Sequence, residues 1–219
     1  MTTPMHRIDF HFDVLSPYAW LAFAALPEAL AGISHHVVYQ PLLFAGVLAH
    51  WGQKGPAEIE PKRAWTYRQV LWQAQQQGVS LQLPRPHPFN PLALQRLALA
   101  CAPASGCPNR RVVEALFRHV WCRDGADVND PAALAALHEA LAPQRAPDSA
   151  EVKAELRART EAAVAAGVFG VPTLVCEGRT FFGADALPML RDALQGGAWF
   201  DGDEWRSAGA QPPGLQRRG

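Results

Sequence analysis

Ser16 stands where an alternating segment gives way to a helix start, a position from which a hydroxyl can act on a reacting atom. Ile8, Phe10 and Phe12 alternate with Asp9 and His11, which predicts a half-buried strand over His6–Phe12. Ser16-Pro17 then supplies an N-cap and a proline at the first helical position. Backbone amides at such a start carry partial positive charge and lower the pKa of a thiol held against them. The chain brings no thiol of its own to this loop, which reads Ser16-Pro17-Tyr18-Ala19. Its four cysteines, Cys101, Cys107, Cys122 and Cys176, are spaced by 6, 15 and 54 residues, and none forms a Cys-x-x-Cys pair. Dithiol–disulfide exchange at this loop is thereby excluded, and neither a zinc pattern nor a disulfide framework is present. The cysteines are read as small buried hydrophobes, with no metal site expected.

Two further segments mark the starts of elements. Gly170-Val171-Pro172-Thr173 immediately precedes an apolar strand, and Phe182-Gly183-Ala184-Asp185 opens a helix. The elements that position them follow from pattern. A helix is predicted from Tyr18 to Ala31, ending at Gly32, and a second strand over His36–Gln40, stopped by Pro41. Helical stretches fill the middle, at Leu42–His50, Glu60–Gly78, Pro91–Cys101, Arg110–Cys122, Pro131–Ala142 and Ser149–Gly167. Strands return at Pro172–Cys176 and Arg179–Phe182 around Gly178, followed by a helix over Ala184–Gln195. Trp65, Tyr67 and Trp72 are read as core aromatics, and His87 as a solvated loop residue unless a ligand claims it.

The predicted fold class is α/β: a thioredoxin-like fold with an inserted all-helical domain. Residues 6–40 and 168–200 form the split thioredoxin-like part, 41–167 the helical insert, and 201–219 a polar tail expected to be disordered. In a thioredoxin fold the loop after the first strand presents the reactive group. The proline before the third strand is cis, which frees the backbone of the preceding residue, here Val171, for an extended peptide.

Composition narrows the function. Twenty Lys and Arg balance twenty Asp and Glu, so no nucleic-acid partner is expected. No apolar run approaches the ~20 residues of a membrane-spanning helix, and no signal-peptide core is seen; a cytoplasmic protein without membrane contact is expected.

FDVLSPYAWLA, HPFNPLALQRL, and GVFGVPTLV followed by FFGADALPML resemble the 2-hydroxychromene-2-carboxylate isomerases. These are relatives of kappa-class glutathione transferases and, more distantly, of DsbA-type oxidoreductases. The likeness runs from about Arg7 to Leu194, and Ser-Pro-Tyr, Phe-Gly-Val-Pro and Phe-Gly-x-Asp occur in family order.

The resemblance implies glutathione as cofactor and, as substrate, an aromatic-derived 2-oxo acid from the breakdown of naphthalene-like compounds. It assigns Ser16 the catalytic hydroxyl that hydrogen-bonds the glutathione sulfur. Val171 takes the cysteinyl backbone, and Phe182, Gly183, Ala184 and Asp185 the γ-glutamyl end. Gln53 occupies the position of a family asparagine, one methylene longer. Tyr18 retains the family aromatic. Trp51, Lys54, Arg85 and His87, from loops of the insert, are expected to meet the substrate's ring and carboxylate. A homodimer is also expected. Two alternatives stand beside this reading: a kappa-type transferase joining glutathione to an electrophile, and a cysteine-free DsbA-like scaffold that binds peptides.

Overall fold

The computed structural model describes residues 5–212 and 214. Four strands form one sheet in the order β2-β1-β3-β4. Strand β1 (His6–Phe12) pairs in parallel with β2 (His35–Pro41), from His6 opposite His35 to Phe12 opposite Pro41. Its other edge pairs antiparallel with β3 (Thr173–Cys176), Phe10 facing Leu174. Strand β4 (Arg179–Phe182) closes the hairpin. Helix α1 (Pro17–Ala29) crosses between β1 and β2. With α8 (Leu187–Leu194), which follows the hairpin, this completes the thioredoxin arrangement.

Between β2 and β3 lie α2 (Phe44–His50), α3 (Glu60–Gln77), α4 (Leu92–Ala100), α5 (Arg110–Trp121), α6 (Pro131–Leu141) and α7 (Ala150–Ala165). Local chemistry sets their ends. Asn109, Asp130 and Ser149 each accept an amide N–H of the following first turn, and Gly78 closes α3 in the left-handed region at φ 63°.

The alternation in β1 is realised as read: Ile8, Phe10 and Phe12 are fully buried, while Asp9 and His11 face the other side. On the Phe10 face, α1, α5 and α8 share one core with the sheet. Phe117 of α5 is its centre, with ring centroids 5.5 Å from Phe12, 5.8 Å from Trp20 and 5.3 Å from Phe23. Trp121, also on α5, donates its indole N–H to the Val14 carbonyl at 3.0 Å. Residues 41–167 are thus an insertion in the chain, but their core is continuous with that of the sheet. On the opposite face Arg159 of α7 bonds Gln40 of β2 at 2.8 Å and pairs with Glu155 at 2.8 Å.

Two expectations are corrected. The tail is ordered further than read: α9 (Asp203–Gly209) forms because Trp205 packs on Trp199 and Phe200, each 5.3 Å away, and Phe200 in turn meets Phe181. Residues 213 and 215–219 of that tail lie outside the described residues. Trp65 and Trp72 are not core: they are exposed on α3, whose buried stripe is Thr66, Val70 and Ala74. Among the described residues no helix is long and apolar enough to cross a membrane.

Candidate active site

The loop from β1 to α1 is fixed by Asp13. Its carboxylate accepts the N–H of Leu15 at 3.0 Å and the N–H of Phe44, the first residue of α2, at 2.9 Å. Its carbonyl accepts the Ser16 N–H at 3.0 Å. Asp13 is fully buried with no cation on it, so burial pushes its carboxyl up to about 6 while the two amide donors pull it down. Sequence reasoning missed this residue. The available signal was an acid three residues before a Ser-Pro helix start, a place where aspartate folds its own backbone into a turn.

Ser16 caps α1, its Oγ accepting the Ala19 N–H at 3.2 Å. The same hydroxyl donates to the Val171 carbonyl at 3.3 Å. That length is well beyond the usual ~2.7–2.8 Å for O–H···O, so the hydrogen is weakly held and can turn to a better acceptor. Val171 precedes the cis Val171–Pro172 bond, as expected. Its amide N–H meets no acceptor among the described residues. Next to it, Thr173 donates to the Gly170 carbonyl at 2.7 Å and the Gly183 N–H to the Pro172 carbonyl at 3.0 Å. Gly183 sits at φ 94°, where a side chain is strained, and a Cβ there would run into the Asp185 carboxylate. Phe169 and Phe182 pack with centroids 4.7 Å apart and ring planes tilted by 50°, and a Cβ on Gly170 would lie 2.6 Å from the Phe182 ring.

These groups open onto one cleft of about 920 Å³ between the sheet end and the insert. On the sheet side it is lined by Ser16, Tyr18, Val171, Phe182, Gly183, Ala184 and Asp185, and across from them by Gln53, Lys54, Tyr67 and His87. Tyr18 is steered by Gln69 of α3, to whose Oε1 it donates at 2.7 Å.

Two expected residues fall elsewhere. Trp51 turns away and donates its indole N–H to the Val168 carbonyl at 3.0 Å. Arg85 lies over Gly125, outside the cleft lining. Arg85 finds no buried acid and stays at water, whereas His87, two residues on, is drawn inward by hydrogen bonds. His87 is therefore not a solvated loop residue. Its Nε2 lies 3.0 Å from the Leu15 carbonyl and its Nδ1 2.8 Å from the Tyr67 hydroxyl, and burial holds the imidazole below its ordinary range. Tyr67, read as core, is a cleft residue instead, because the α3 stripe that faces the core passes through Thr66 and Val70.

At the other end of the sheet His6, Cys176 and Glu177 bring their donor atoms within 4.8 Å of one another. His6 and Arg179 already pair with the two Glu177 oxygens there, at 2.7 and 3.5 Å.

The donor set fits glutathione. A loosely held hydroxyl at a helix start suits its sulfur, a free Val171 N–H its peptide, and an exposed Asp185 its ammonium. Residues 7–195 match the family model described as the DSBA-like thioredoxin domain. Glutathione S-transferase kappa 1 of Rattus norvegicus is 27% identical over 227 residues, covering 96% of either chain. The 2-hydroxychromene-2-carboxylate isomerase of Pseudomonas sp. (strain C18) is 27% identical over 202 residues, covering 90% of this chain and 93% of its own. Among solved structures, a 2-hydroxychromene-2-carboxylate isomerase superposes with a TM-score of 0.75 at 22% identity, over 94% of this chain and all of that one.

Proposed function

The chain belongs to the DSBA-like thioredoxin domain family, and from that premise we propose that it is a glutathione-dependent isomerase. Its reaction would interconvert 2-hydroxychromene-2-carboxylate and trans-o-hydroxybenzylidenepyruvate, or a related aromatic-derived 2-oxo acid. The observation that carries this reading is the pairing of Ser16 Oγ with the Val171 carbonyl at the mouth of a cleft whose nucleophile loop has no cysteine.

When bound, glutathione would supply a thiol for reversible addition to the conjugated carbon, the chemistry that lets the substrate's double bond turn. A free thiol has a pKa near ~8.5 and is mostly protonated at neutral pH. Ser16 favours the anion by turning its hydrogen from Val171 to the sulfur, aided by the amides of the first α1 turn. Val171 offers an amide and a carbonyl to the cysteinyl unit, and Asp185 its carboxylate to the glutamyl ammonium. Lys54, on the opposite wall, holds the substrate's carboxylate. Phe169 and Phe182 give the aromatic ring an apolar surface and keep water from the reacting carbon.

Following isomerisation of trans-o-hydroxybenzylidenepyruvate with and without reduced glutathione tests the proposal. Catalysis that requires glutathione but leaves its concentration unchanged is expected. Equal rates in both conditions would overturn the cofactor assignment. A second reading, a kappa-type transferase, is favoured by the equal likeness to the rat kappa transferase, and stoichiometric loss of thiol into a product would establish it.

A further inference from the structure

Tyr67 and His87 reach the cleft from different segments, α3 and the loop before α4, and meet directly behind the Ser16 loop. Their hydrogen bonds fix where the protons are. The Leu15 carbonyl can only accept, so His87 Nε2, 3.0 Å away, carries a hydrogen. Burial keeps the ring neutral, which leaves Nδ1 as an acceptor. Nδ1 lies 2.8 Å from the Tyr67 hydroxyl, whose single hydrogen is therefore directed inward, with the His87 carbonyl at 3.0 Å within reach of the same hydrogen. The lone pairs of the Tyr67 oxygen remain for the cleft. A tyrosine arranged this way can take a proton from a ligand hydroxyl while handing its own to the imidazole, and the unprotonated Nδ1 behind it is ready to receive one.

Resting on the function proposed above, we propose that Tyr67 and His87 form a proton relay for opening and closing the cyclic hemiketal of the aromatic 2-oxo acid. Tyr67 accepts the proton of the hydroxyl at C2 and passes its own to His87 Nδ1. The oxygen at C2 forms the ketone as the bond from C2 to the ring oxygen breaks, and that bond's electron pair leaves on the ring oxygen as phenolate. The proton held on His87 returns through Tyr67 to the phenolate, so none is gained or lost overall. Ring closure runs the same path backwards. Ser16 and the thiol serve rotation about the carbon–carbon bond; the relay serves the oxygen–carbon bond.

Two measurements test this. The first compares rates on 2-hydroxychromene-2-carboxylate, which must open, with rates of cis–trans isomerisation of o-methoxybenzylidenepyruvate, which cannot close. In Tyr67→Phe the ratio of the first rate to the second is expected to fall about 100-fold, a usual size for loss of one acid–base group. An unchanged ratio, with the wild type active on both, would overturn the relay and leave the isomerase reading standing. A wild type inactive on both would overturn that reading and the relay with it. The second measurement needs no ligand: nitrogen NMR of the imidazole is expected to show His87 Nδ1 unprotonated and shifted in Tyr67→Phe. A hydrogen on Nδ1 would overturn the relay whatever the enzyme's activity.

Discussion

The Ser16 hydroxyl and the Val171 carbonyl oxygen lie 3.3 Å apart although 155 positions separate them in the chain. This contact joins the two halves of the sheet domain at the point where a thiol would be held. Ser16→Ala is expected to lower isomerase turnover by roughly 100–1000-fold, the range for removing one preorganised donor. The fold should persist, since Pro17 still starts α1. Steady-state kinetics beside a thermal melt checks both, and unchanged turnover would reduce Ser16 to a cap.

Asp185 is expected to act on binding. Asp185→Asn should weaken reduced glutathione by roughly 10–100-fold, as loss of a charge-assisted hydrogen bond of ~1.5–3 kcal/mol would. Titration calorimetry reads this directly. Gly183→Ala should weaken it too, because φ 94° and the nearby carboxylate leave a Cβ no room without moving Asp185.

Of Lys54, Arg85 and His87, the candidates for the substrate carboxylate, Lys54 and His87 line the cleft and Arg85 does not. Lys54→Ala is expected to raise KM for the 2-oxo acid about 10-fold. Arg85→Ala should change it less than about two-fold, the size of an ordinary surface substitution. A larger effect of Arg85 would show that its loop swings in when substrate binds.

Asp13 makes stability depend on pH. Its folded pKa, about 6, stands above the ordinary value of 3.8, so between those values the folded state holds more proton than the unfolded chain. The sign is therefore a loss of stability as pH rises through that window, on the order of 3 kcal/mol in all. Chemical denaturation at pH 4, 5, 6 and 7 should show this fall in the wild type relative to Asp13→Asn, which cannot titrate. Parallel curves for the two proteins would contradict it.

Phe117 stands in the shared core, fully buried. Phe117→Ala is expected to cost about 3–5 kcal/mol, and the insert and the sheet should still unfold in a single transition. Two separated transitions in calorimetry would show that the helical insert has a core of its own.

Strand positions and the first helix start were legible because their signals are local: alternation in Ile8–Phe12, and Ser16-Pro17 as cap and first turn of α1. The sheet side of the cleft was legible for a similar reason, since Ser16, Val171 and Asp185 sit at element ends whose direction the topology sets. The insert side was not. Whether Arg85 or His87 turns inward depends on acceptors such as the Leu15 carbonyl, supplied by a distant part of the chain. Tyr67 and Trp65 differ by two positions on α3, yet one meets the cleft and the other water, because α3 packs on α1 along Thr66 and Val70. Asp13 escaped notice because its partner, the Phe44 amide, belongs to a helix start that lacks a side-chain cap of its own.

The antiparallel pairing of β1 with β3 sets a schedule for synthesis. β1 and β2 can join as soon as Pro41 has left the ribosome, but the other edge of β1 waits for Thr173–Cys176. At ~5–20 residues per second, that edge stays without its strand for roughly seven to thirty seconds. Open strand edges invite pairing with other chains. For that interval the nascent protein depends on its early helices, α1 first among them, to shield a sheet that is still half built.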